Sequence, residues 1–294
     1  LLALGAGAAT VVGFAPFSFF PIAVVTLALL IEALSGGSPR AGFWRGYAFG
    51  LGLLGFGVSW IRISLNEFGN MGAPLADGLM VLFVAAMALY YGLLGWLARY
   101  LAFARPWAVP LLLVPGLYVL TEWLRGWLFT GFPWLNLGYT QIEGPLAGFA
   151  PIAGVYGVSL LTALSGGLLW GLVRGAGRAR AWAGAALAAL WIVGAGLQRL
   201  DWTDPAGEPL RATVVQANIP QAIKWDPESR LGILDAYLDL TLANLDSDLI
   251  LWPETAIPEF LHAVREVLIQ PLADRARREG TEIVLGIPVL DEQT

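Results

Sequence analysis

The chain has 294 residues, of which 57% are hydrophobic and only 13% charged, about half the charged share usual for a soluble domain. Its net charge of −5 offers no basic surface, so no nucleic-acid partner is expected. Cysteine is absent, which excludes disulfides, thiolate metal sites and a cysteine nucleophile within these residues.

Charge divides the chain. Before Leu200 the acids are Glu32, Glu67, Asp77, Glu122 and Glu143, and beyond it they become dense. This asymmetry predicts a membrane domain over residues 1–200 and a water-facing domain over residues 201–294. There is no initiator Met and no basic n-region, so residues 1–12 are not read as an intact signal peptide. The chain is expected to be a fragment cut at both ends, because it stops at Thr294 directly after a predicted strand.

A membrane helix needs roughly 20 apolar residues. Residues 1–13 read as a truncated first span and 21–34 as a short second one. Further spans are expected over 43–63, 74–103, 107–127, 152–173 and 181–197, about seven in all. Pro110 and Pro115 fall inside the fifth, where neighbouring helices re-satisfy the freed carbonyls. Arg40 and Arg45, Arg99 and Arg105, and Arg174, Arg178 and Arg180 lie in alternate loops that carry no acid. Basic loops stay in the cytoplasm. This pattern puts the N-terminus inside and everything after Leu200 outside.

Beyond Leu200 the period changes. Residues 211–216 read as a strand. Asp226 and Pro227 are the expected N-cap and first residue of a helix carrying Leu231, Leu234, Leu238 and Leu242. Residues 249–252 read as a strand without alternation, as expected when both faces are buried. Residues 263–278 read as a helix that stops at Gly280, and 282–287 as a third strand. The order β-α-β-α-β opens an α/β domain.

Glu254 stands where the middle strand gives way to a loop, behind Trp252 and Pro253. Ligands of open α/β sheets bind outside the carboxyl ends of the strands, which makes Glu254 a catalytic candidate beside the plainer reading of an exposed loop acid. As a general base it needs a nearby proton donor and partial burial to raise its pKa. Lys224 is the only lysine, and a substrate-facing or surface role is expected for it. Gly50-Leu-Gly-Leu-Leu-Gly55 fits a dinucleotide fingerprint, but it lies in a membrane span and follows no strand. Close helix packing explains it better. His262 is the sole histidine, and no metal site or cofactor is expected. Glu122 and Arg125 stand at i, i+3 near a membrane end; they are expected to pair, either as structure or along a lipid route. The loop over residues 130–145 reads equally as an interfacial anchor or as a lipid entry.

The run Trp252-Pro-Glu-Thr-Ala-Ile-Pro258 resembles the first catalytic motif of the nitrilase, or carbon-nitrogen hydrolase, superfamily in the form found in apolipoprotein N-acyltransferases. Val214-Val-Gln-Ala-Asn-Ile-Pro-Gln-Ala-Ile-Lys-Trp-Asp226 resembles that family's signature at the start of its nitrilase-like domain. Leu124-Arg-Gly-Trp-Leu-Phe-Thr-Gly-Phe-Pro-Trp134 and Gln141-Ile-Glu-Gly-Pro145 resemble its periplasmic loop. The resemblance implies a polytopic helical membrane domain followed by an incomplete nitrilase-like domain of αββα sandwich type. It implies a bacterial inner-membrane enzyme whose catalytic domain is extracytoplasmic. Its activity is transfer of an acyl chain from a phospholipid donor to a diacylglyceryl apolipoprotein, through a thioester on a Cys. Within the implied Glu-Lys-Cys triad Glu254 is the general base, and Trp225 matches a position the family uses near its substrate. The triad Lys follows the Glu motif in the family, so Lys224 is not that residue. The Lys and Cys belong beyond Thr294, and this fragment alone is expected to be inactive. The rival readings are a membrane-anchored amidase that uses water as acceptor, and a transporter or scaffold without chemistry.

Overall fold

The structure is a computed structural model that describes residues 1–103 and 107–290. Arg105, expected in a basic loop, and the end of the chain at Thr294 lie outside the described residues. Two compact units are present, Leu1–Thr203 and Asp204–Thr294.

The first unit is helical. Its main helices are α1 (Leu2–Thr10), α2 (Pro21–Leu34), α3 (Pro39–Gly57), α4 (Ala73–Tyr100), α5 (Val114–Arg125), α6 (Ala150–Arg174) and α7 (Gly177–Leu197). Among the described residues three helices are long and apolar enough to cross a membrane: α4, α6 with its preceding turn from Pro145, and α7. A fourth is reached if α3 and Ile61–Phe68, bent by 58°, count as one broken span. At 1.5 Å per residue, the 14 residues of α2 reach only about 21 Å, short of the roughly 30 Å hydrocarbon core. Over the expected span 107–127 the backbone is helical without a gap from residue 108 to 125, but it widens near its start. A wide turn over Val109–Leu113 precedes α5, whose 12 residues end at Arg125. Pro110 and Pro115 account for the widened turn, since neither carries an N–H for the helical ladder.

Glycine lets these helices pack backbone against backbone. A Cβ on Gly42 or Gly46 would strike the carbonyls of Gly95 or Tyr91 on α4. On the other side of α3, a Cβ on Gly52 would strike the Leu4 carbonyl of α1. The fingerprint-like glycines therefore separate: Gly50 abuts Ala88 and Tyr91, Gly52 abuts α1, and Gly55 faces open space. Leu27, Leu30, Ile31, Phe49, Leu53 and Leu94 fill the core between these helices. The Thr10 hydroxyl donates to Thr26 at 2.8 Å, tying α1 to α2 inside that core.

Among the described residues the second unit holds a three-stranded parallel sheet in the order β1 (Ala212–Val214), β2 (Leu249–Leu251), β3 (Glu282–Val284). Helix α8 (Arg230–Leu242) joins the first two strands. The second connection carries Leu261–Val264, a wide turn over Arg265–Ile269, and α9 (Gln270–Glu279). Gly280 ends α9 at φ 77°, a conformation that glycine adopts without steric cost.

Two local expectations change. Helix α8 starts at Arg230 rather than Pro227. Asp226 instead closes a turn, accepting from the Glu228 N–H at 3.2 Å and the Ser229 hydroxyl at 2.9 Å. The middle strand does alternate: Ile250 is buried, while Leu249 and Leu251 are only half-buried. The row Thr213, Ile250, Ile283 faces the core, and the row Val214, Leu251, Val284 does not: Val214 is 72% and Val284 56% exposed.

Candidate active site

Glu254 follows the middle strand at its carboxyl end, as the sequence order requires. The strand is fixed on both sides: the Val215 N–H donates to the Leu251 carbonyl at 2.8 Å, and the Trp252 N–H to the Val284 carbonyl at 2.9 Å. The Trp252 side chain is buried, stacks on Tyr237 with centroids 5.0 Å apart, and donates its indole N–H to the Thr241 hydroxyl at 2.8 Å. That hydroxyl donates in turn to the Tyr237 carbonyl at 2.7 Å. Helix α8 therefore grips the end of β2 through a satisfied buried polar chain, and burial pushes the Tyr237 phenol above its ordinary pKa.

The chain then turns sharply. Thr255 takes φ 49°, a left-handed conformation that few non-glycine residues adopt. Gly286 lies against this turn, and a Cβ there would come within 2.6 Å of the Thr255 nitrogen and 3.0 Å of the Glu254 Cα. Ala256, Ile257 and Pro258 are buried behind it. The backbone under Glu254 is thus held while its side chain is exposed, rather than partly buried as a desolvated base would be.

Beside Glu254 lies a pocket of about 210 Å³. Gln216, Asn218, Gln221 and Lys224 line it from the loop after β1, and Ile233 and Tyr237 from α8. Asn218 also sits at positive φ, 51°. The structure therefore brings Lys224 to the site. Trp225, its neighbour on the turn over residues 221–225, is 58% exposed and outside the pocket lining. His262 is exposed beside Phe260, their rings stacked 5.9 Å apart. Among the described residues no group of three or more His, Cys, Asp or Glu gathers to hold a metal ion. Sequence reasoning did not single out Asn218 or Tyr237. Asn is among the few side chains that tolerate left-handed backbone, which is the one local signal Asn218 carries.

In the helical unit the expected Glu122–Arg125 pair is replaced by something else. Both side chains are buried, at 0% and 1% exposure, and both turn to the loop that follows. Arg125 donates to the carbonyls of Phe132 (3.2 Å) and Trp134, and to Asn136 Oδ1 at 3.2 Å. Glu122 accepts from the Leu137 N–H. The Gly138 N–H reaches Ser159 Oγ on α6 at 2.8 Å. Two charges on the last turn of α5 therefore clamp a loop whose Phe132 and Trp134 rings stack at 4.9 Å.

Residues 6–168 match the family model for the apolipoprotein N-acyltransferase N-terminal domain, and residues 211–294 match carbon-nitrogen hydrolase. Similar proteins named apolipoprotein N-acyltransferase occur in Methylococcus capsulatus (43% identical, covering 100% of this chain and 58% of that protein) and Nitrosomonas europaea (42%, 98% and 57%). Another occurs in Coxiella burnetii (41%, 100% and 61%). The chain spans less than two thirds of the length of these curated relatives. A helical region with apolar helices fit for a membrane stands before a carbon-nitrogen hydrolase region with a carboxylate at its strand end. The N-terminal match alone covers more than half of the 294 residues, and the chain belongs to the apolipoprotein N-acyltransferase family.

Proposed function

We propose that the protein carrying this chain transfers an acyl chain from a phospholipid to the α-amino group of diacylglyceryl-cysteine at a lipoprotein N-terminus, with Glu254 as general base. One observation carries the reading: Glu254 ends the central strand of a parallel sheet and borders a pocket, in the region that matches carbon-nitrogen hydrolase.

A Cys thiol, supplied by a later segment together with the triad Lys, gives its proton to Glu254 while its sulfur attacks the donor's ester carbonyl. The carbon–oxygen ester bond breaks, a thioester forms, and the proton passes to the departing lysophospholipid oxygen. The acceptor amine then attacks the thioester carbonyl. Glu254 takes the proton lost by nitrogen and returns it to the sulfur as the amide forms. Dividing one difficult transfer into two easier ones is the advantage of an activated nucleophile.

We place all seven helical segments in the bilayer, including the short apolar helices Leu2–Gly13 and Pro21–Leu34. The arginines at 40, 45, 99, 174, 178 and 180 then mark the cytoplasmic side of the inner membrane. The second unit lies outside the cytoplasm. The apolar row Val214, Leu251, Val284 supports an αββα sandwich, because a second sheet packs on such a face.

The test supplies the full-length protein with labelled phospholipid and a diacylated lipopeptide. Triacylated lipopeptide is expected, and its formation should fall about 10²–10⁴-fold in Glu254→Gln at equal expression. Free fatty acid without triacylated product would make the protein an amidase-type hydrolase. Full activity of Glu254→Gln would remove Glu254 from the chemistry.

A further inference from the structure

Lys224 is unexplained by the triad. It is half-buried in the pocket wall, and among the described residues its ammonium makes no ion pair and no hydrogen bond. Asp226 is occupied by its own turn and Glu259 by Arg230 at 2.6 Å, while Glu228, four residues on, is exposed and forms no ion pair with Lys224. Glu254 shares the pocket but forms no ion pair with it. The side-chain amides of Gln216, Asn218 and Gln221 on the same wall are also without hydrogen bonds among the described residues. A half-buried lysine beside three exposed amides places donors around one space, and the Glu254 carboxylate on the same lining pairs with none of them. That is a receptor for an anion with several oxygens, and lysine binds phosphate as a compact point charge.

We propose that Lys224, with the amides of Gln216, Asn218 and Gln221, binds the phosphodiester of the acyl donor, leaving the donor's ester carbonyl on the Glu254 side of the pocket. The assignment rests on the acyl-transfer reading for the identity of the lipid, but not for the charge chemistry. A neutral ester needs only hydrogen-bond donors, whereas the unpaired cation of a half-buried lysine is matched by a full negative charge. Glu254 repels the phosphate from its own end of the pocket, so the two charges orient the lipid. Ile223 and Trp225, 42% and 58% exposed on either side of Lys224 in the turn, put apolar surface beside the phosphate end.

The experiment measures binding, which requires no turnover. Full-length protein in detergent is titrated with palmitoyl lysophosphatidylglycerol and with monopalmitoylglycerol, which has the same chain and no phosphate. The parent should bind the phosphate-bearing lipid at least about tenfold tighter, the value of one charge-assisted hydrogen bond. Lys224→Gln should lose that preference and Lys224→Arg should keep most of it, with thermal midpoints reporting that each variant is folded. An unchanged preference in folded Lys224→Gln overturns the proposal, and so does equal weakening toward both lipids. Inorganic phosphate that displaces the lysophospholipid from the parent but not from Lys224→Gln assigns a general phosphate site. Failure to displace, with the preference intact in the parent and lost in the variant, assigns lipid-borne phosphate. If Lys224-dependent binding is present while acyl transfer is absent, the acyl-transfer reading fails and this one stands.

Discussion

Trp252 shows how much one side chain does at the root of the site. It supplies apolar area to the core, a stacking face to Tyr237 and a hydrogen bond to Thr241. Replacing it with Phe keeps most of the area and the stack but leaves a buried hydroxyl without its donor. The expected cost is about 0.5–1.5 kcal/mol, the net contribution of one hydrogen bond, because the hydroxyl still donates to the Tyr237 carbonyl. It would be read as a lower unfolding midpoint of the second unit, and Thr241→Val in the Trp252→Phe background should recover part of the loss. No recovery would mean that the indole acts through its volume alone. The position of Glu254 was legible in the sequence because strand, Pro253 and acid stand side by side. The role of Gly286 was not. A glycine 32 residues downstream becomes necessary only once β3 lies against β2 and its continuation meets the turn at Thr255.

Among elements, the last turn of α5 with its returning loop is the most constrained. The i, i+3 spacing of Glu122 and Arg125 told of adjacency on a helix face but not of what the face meets. The partners lie 7 to 15 residues further on, beyond any local pattern. Arg125→Met would strip the carbonyls of Phe132 and Trp134 of their donor and leave the buried Glu122 without a neighbouring cation. A loss of about 3 kcal/mol or more is expected, since hydrogen bonds to charged groups contribute roughly 1.5–3 each. The measurement is limited proteolysis, with new cleavage between residues 126 and 136 while the other helices stay protected. Protection equal to the parent would show that the loop is held by its aromatic stack instead. Boundaries were best read where composition changes sharply. Pro21–Leu34 lies where its apolar run predicts, whereas α8 begins later than Pro227 because Ser229 and Glu228 engage Asp226 first.

At the scale of the molecule, the division at residue 203 follows the same charge asymmetry that the sequence displays. The proposed orientation makes a direct prediction. Cysteine placed at Asp204 should react in intact cells with a membrane-impermeant maleimide. Cysteine placed at Arg178 should react only after the membrane is opened. The opposite pattern would invert the topology and move the proposed chemistry to the cytoplasm. This chain contributes no thiol of its own, so each new label is read against the unsubstituted protein.

The sheet order β1-β2-β3 has a consequence for biogenesis. Among the described residues, position in space repeats position in the chain, and β2 and β3 each pair with the strand made just before. As synthesis proceeds, each of these βα segments finds its partner strand already made and adds to one advancing edge. Among these three strands, none has to be parted to admit a later one. The unit can therefore assemble vectorially, in the direction of synthesis.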